Sequence, residues 1–154
     1  MLDERANGQA ELFSAAPKPE PVIFDLSERP IPLAATTGNN GRDFGRGRHN
    51  SKRYEDWTLR MLADLRRQGK LWLKLPAPFA VHYTFFKPDN RKRDLGNLLK
   101  AADDLLVKAK IIGDDSQIID HRQSWSRLSP AWRVRIWYGP AALARIAELE
   151  KEFQ

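Results

Sequence analysis

Asp94, Asn97, Lys100, Asp114 and Asp115 fall within 22 residues of one another. Carboxylates supply hard oxygen donors, which suit Mg²⁺. A lysine beside them can stabilise charge that builds on a phosphate, or protonate a leaving oxygen. The run Lys87-Pro88-Asp89-Asn90-Arg91-Lys92-Arg93 leads straight into Asp94 and would attract phosphate. These residue types point to metal-assisted phosphodiester chemistry on a nucleic acid. Ordinary uses compete for the same residues: Asp94 as a helix cap, Asp114-Asp115 as a turn, Lys100 as a solvated lysine.

The elements that must position these residues are read from periodicity. Val22 to Leu26 forms a first strand. Tyr54, Trp57, Met61, Leu62 and Leu65 recur at helical steps, so a helix runs from Ser51, its cap, to about Gln68, with Gly69 as its stop. Phe79 to Phe86 alternates with period two and is a strand. Leu95, Leu98, Leu99, Ala102, Leu105, Leu106 and Ala109 make one apolar stripe of a helix over 95–109. Asn97, Lys100, Asp104 and Lys108 face away from it, near a helix N-terminus whose free N–H groups favour phosphate. Ile118 to Trp125 and Trp132 to Tyr138 read as strands joined in a hairpin around Ser129-Pro130, and Ala141 to Phe153 as a last helix. The expected fold is a single α+β domain over 21–154, a small mixed sheet flanked by helices, preceded by a flexible tail over 1–20.

Such a fold carries a geometric demand. A 15-residue helix is roughly 22 Å long. Asp94 and Asp115 lie at opposite ends of one. They can meet only if the chain over 110–118 returns towards the start of that helix or pairs with another strand there.

Composition narrows the chemistry. The 154 residues carry a net charge of +6, which favours a polyanionic partner. No cysteine is present, which excludes disulfides and thiolate metal sites. His49, His82 and His121 show no zinc-ligand spacing. No apolar run approaches the roughly 20 residues of a membrane span, and no signal peptide is visible, so a cytoplasmic protein is expected. Gly38 to Arg48, with Arg42, Arg46 and Arg48, is either a phosphate-gripping loop or a basic surface loop; it lacks the phosphate-loop pattern of an NTPase. Trp125, Trp132, Trp137 and Tyr138 either stack on bases or, as their strand positions favour, pack in the core or a dimer.

Arg93-Asp94-Leu95-Gly96-Asn97-Leu98-Leu99-Lys100, then Asp104-Leu105-Leu106, then Ile112-Gly113-Asp114-Asp115-Ser116-Gln117-Ile118, resembles the core of the RusA family of Holliday-junction resolvases. Arg29-Pro30-Ile31-Pro32 and Asn50 to Trp57 resemble its N-terminal half more loosely. The resemblance implies a RusA-like fold and a homodimeric endonuclease dependent on Mg²⁺, with Mn²⁺ as substitute. It would cut opposed strands of four-way junction DNA in recombination and repair, in a bacterial or phage setting at the nucleoid. By the same resemblance Asp94 and Asp115 match metal-binding catalytic aspartates, and Lys100 the essential lysine. Asn97 matches the motif asparagine and Asp114 the first acid of the Asp-Asp pair. Arg42, Arg46, Arg48, Arg91, Lys92 and Arg93 would bind flanking phosphates.

One position departs. The family's second aspartate is Gly96 here. Either another acid is recruited, with Asp104 or Asp114 as candidates, or the metal is held by fewer protein ligands and more water. The third alternative is a catalytically impaired protein that binds junctions without cutting. In the tail, Gln9, Leu12 and Phe13 resemble the peptide by which partners dock on the bacterial sliding clamp.

Overall fold

A computed structural model of the chain describes residues 20–30, 52–87, 95–127 and 132–152. Its elements are β1 (Val22–Leu26), α1 (Lys52–Arg67), β2 (Phe79–Phe86), α2 (Gly96–Lys108), β3 (Ile118–Ser126), β4 (Trp132–Tyr138) and α3 (Pro140–Glu152), with a 3₁₀ turn over Asp115–Gln117. This is the expected element order. The four strands form one mixed sheet in the order β1-β4-β2-β3. It is an α+β domain. The expected cap, Ser51, and the tail lie outside the described residues.

The core lies between the sheet and the α1–α2 layer. Helical spacing places Tyr54, Trp57, Met61 and Leu65 on one buried face of α1. Gly69, at φ 66°, ends that helix in a left-handed conformation that glycine adopts without a Cβ clash. From the sheet, Phe79, Val81, Tyr83 and Phe85 of β2 meet Trp132, Val134 and Ile136 of β4. Phe85 lies 5.6 Å from Trp132, ring to ring, and 6.4 Å from Trp125. Trp132 is thus a core residue and Trp125, half-buried, packs against the core, as their strand positions favoured. α3 covers part of the other face, where Arg145 sits 5.2 Å from the Trp137 ring.

The hairpin expected around Ser129-Pro130 does not form. β4 pairs with β1 and β2, and β3 pairs in parallel with β2 alone. The reason lies in burial. β4 hides Trp132, Val134 and Ile136 completely and belongs in the middle of the sheet. β3 carries Asp120, His121, Arg122, Gln123 and Ser124, a composition that tolerates an edge. The β2–α2–β3 crossover delivers β3 parallel to β2, leaving β2's other side for β4.

Candidate active site

The crossover positions the chemistry. α2 runs through the apolar stripe that fixes its rotation, with Leu98, Ala102, Leu105 and Leu106 buried. That rotation turns Lys100 outward, with Asp104 beside it. After the helix, Ile111 and Ile112 are anchored in the core. The chain then turns at Gly113 and enters the 3₁₀ turn at Asp115. The chain turns back along α2 here, so that the Asp115 carboxylate meets the Lys100 ammonium; Asp94, the other end of the demanded return, lies outside the described residues. Lys100 Nζ donates to Asp115 Oδ2 at 2.9 Å and pairs with Asp104 Oδ1 at 2.9 Å. Lys100 is exposed and the two aspartates are half-buried. The hydrogen bond to Asp104, then the one to Asp115, holds the Lys100 ammonium well above the ordinary lysine range.

Asp114 does structural work. Its Oδ1 accepts from the Ser116 N–H at 2.8 Å, and its own N–H donates to Gln117 Oε1 at 3.2 Å. This capping box starts the turn that aims Asp115. The Ser116 hydrogen bond also holds the Asp114 carboxyl below its usual range. Asp94, and the cations Arg42, Arg46, Arg48, Arg91, Lys92 and Arg93, lie outside the described residues. So do the side chain of Asn97 and the tail residues Gln9, Leu12 and Phe13. Gly96 is the exposed first residue of α2. Asp104 stands eight residues further on, about 12 Å along the helix, and its observed partner is Lys100.

A second polar group behind this cluster was not anticipated. Asp103, on α2, is 7% exposed. The Tyr83 hydroxyl donates to its Oδ1 at 2.7 Å, and His121 Nε2 lies 3.1 Å from the same oxygen. Burial first, then the Asp103 charge, pushes the Tyr83 phenol well above its ordinary range. These contacts tie α2 to β2 and β3, the strands on either side of the crossover. The available signal was an acid at position 103, between Ala102 and Leu106 on a helix whose stripe is otherwise apolar.

Among the described residues no three acids or histidines gather into a metal cage. The partly exposed carboxylates of Asp115 and Asp104 nonetheless suit Mg²⁺, which keeps several waters and is commonly held by one or two carboxylates together with substrate phosphate. The chemistry of these carboxylates fits the ion; Asp94 lies outside the described residues.

The arrangement is a surface lysine between two carboxylates, presented by a helix and the turn that follows it. It is an open, solvent-facing cluster rather than a closed small-molecule pocket. The family profile described as Endodeoxyribonuclease RusA matches residues 30–137. The chain belongs to the RusA endodeoxyribonuclease family. It is 38% identical over 69 residues to the crossover junction endodeoxyribonuclease RusA of Escherichia coli K12, across 45% of this chain and 54% of that protein. The corresponding enzyme of Enterobacteria phage 82 is 36% identical over the same length. That of Aquifex aeolicus is 30% identical over 101 residues, 66% of this chain and 77% of the relative. The chain thus spans about half the length of the Escherichia coli and phage relatives it matches.

Proposed function

We propose that this protein is a structure-selective endodeoxyribonuclease that resolves four-way DNA junctions by paired, Mg²⁺-dependent phosphodiester hydrolysis. The observation that carries the reading is the Asp104–Lys100–Asp115 cluster, built from the family's own motif segments at the crossover of the fold. Asp94 and Asp115 are the residues that would hold Mg²⁺. Bound there, the ion supplies activation of water and neutralisation of phosphate charge. Lys100 stays cationic and stabilises the charge that develops on the scissile phosphate. Asp104 and Asp115 hold its ammonium in place, and Asp114 aims the turn. The basic segments around Arg42 and Arg91 bind the flanking phosphates, so affinity falls steeply with salt. The proposal includes a homodimer, action in the cytoplasm, and a tail that docks on a sliding clamp.

The test is cleavage of a labelled four-way junction with and without Mg²⁺ or Mn²⁺, beside a gel shift on the same DNA. Wild type is expected to make paired, metal-dependent incisions. Asp115→Asn and Asp94→Asn are expected to bind the junction and not cut it. Equal loss of binding and cutting in both would make these aspartates structural. A second reading, a junction-binding module, is motivated by Gly96, which brings no carboxylate to the start of α2. It expects a clean shift with no incision under any metal.

A further inference from the structure

Residues 70–75, which lead from α1 towards β2, carry a feature that the proposed chemistry does not use. Leu71, Leu73 and Leu75 pack against the core, while Trp72 and Lys74 turn outward. Trp72 is 70% exposed, the highest among the described large apolar residues. Its backbone N–H donates to the Ala109 carbonyl at 2.8 Å, and that of Lys74 to the Lys110 carbonyl at 2.9 Å. The loop is thereby fixed against the end of α2.

Trp72, Lys74 and Lys110 have φ of 59°, 49° and 54°, and are the only non-glycine residues with positive φ among those described. Glycine or asparagine would meet this backbone at lower cost. Three long side chains stand there instead, and retained strain of this kind points to function. Together the three line an open cleft of about 750 Å³. Neither lysine has a carboxylate at ion-pair distance among the described residues.

An exposed indole flanked by two lysine ammonium groups with no carboxylate partner among the described residues matches a nucleic-acid strand. The ring offers a stacking platform to any base, and the lysines meet the phosphates beside it. An acidic peptide would satisfy the lysines but give the indole no comparable partner. Lys110 lies six residues beyond Asp104 and ten beyond Lys100, most of them helical, so the cleft stands roughly 9–15 Å along the helix from the cluster. That span corresponds to roughly three to four base steps of duplex rise.

We propose that Trp72, Lys74 and Lys110 form an accessory nucleic-acid site that stacks one unpaired base and grips the phosphates next to it. It rests on the reading of the chain as a DNA nuclease, and extends it to unpaired strand near the branch point.

The experiment is fluorescence anisotropy of the full chain with a labelled thymidine strand of about a dozen nucleotides, over a salt series without divalent metal. Trp72→Ala is expected to weaken binding about 5- to 100-fold, and Trp72→Phe to retain most of it. The double variant Lys74→Ala/Lys110→Ala is expected to lower the slope of log affinity against log salt by about 1.4, two single-strand phosphate contacts. Matching thermal melts will show that the variants fold. Wild-type affinity and slope in all of them would overturn the accessory site, as would a wild type that does not bind the strand. A drop in sedimenting mass for Trp72→Ala would overturn it too, because the indole would then be a contact between copies. If wild type cuts the four-way junction while the cleft variants bind normally, only the accessory site fails. If wild type neither binds nor cuts any DNA, the nuclease reading fails with it.

Discussion

Lys100, with Asp104 and Asp115 each 2.9 Å away, is a residue whose removal separates chemistry from stability. Exposed ion pairs contribute only about 0–1 kcal/mol each, since water and salt screen them. An ammonium beside a reacting phosphate is worth far more, because it acts on charge that develops in the transition state. Lys100→Ala is therefore expected to lower single-turnover cleavage about 100- to 1,000-fold and to shift stability by no more than about 1 kcal/mol per lost pair. Cleavage and thermal melts on the same preparation check this; large loss in both would make the lysine a strut. Tyr83 is the opposite case. Its hydroxyl lies in the core, 2.7 Å from a carboxylate that is 7% exposed. Tyr83→Phe keeps the ring and leaves Asp103 with one partner fewer, which is expected to cost about 1–3 kcal/mol. Urea unfolding reads it, and an unchanged midpoint would mean that water takes the hydroxyl's place.

At the scale of elements, the sheet makes its own prediction through His82 on β2. Burial, then Arg135, Arg122 and Arg145, holds this imidazole below its usual pKa of 6.5, with Asp120 opposing. In the unfolded chain it would titrate near 6.5. Between the two values the unfolded state binds more protons, so stability falls as pH drops through that window and is complete above it. The thermal midpoint is expected to fall between about pH 7.5 and pH 5.5, and His82→Gln to fall less over the same range. Equal falls in both would assign the acid sensitivity to other groups. The elements themselves were largely legible. β1, β2 and β4 begin and end at the residues their alternation marks, because one face of each meets the core. Strand neighbours were not legible. Proximity in sequence suggested a β3–β4 hairpin, and the crossover and β4's burial overrode it. The same limit hid part of the site. Lys100 and Asp115 were visible as types, and the fold brings them together. Asp103 meets Tyr83 and His121 from 20 and 18 residues away, through a pairing that no local pattern records.

For the whole molecule, the proposed resolvase activity raises the question of how one chain could make two cuts. Each chain carries one Lys100 and one Asp115. A four-way junction has opposed strands related by two-fold symmetry, and resolving it needs an incision in each. On the proposed resolvase activity, one cluster per chain and two related incisions are matched by two chains about a shared axis, the commonest symmetry of soluble oligomers, and this is the arrangement we propose. A basic chain of +6 brings positive charge twice to the same polyanion, so the dimer would also gain in encounter. Mixed dimers test this directly. If wild type is exchanged with an equal amount of Asp115→Asn, about half the dimers hold one intact site. Those dimers are expected to make one incision and stall, so nicked junctions accumulate that wild type alone converts to resolved duplexes. The nicked fraction should track the proportion of mixed dimers as the ratio of the two chains is varied. If the resolved product merely scales with the amount of wild-type chain, with no excess of nicked DNA, each chain is cutting independently and the dimeric mechanism falls.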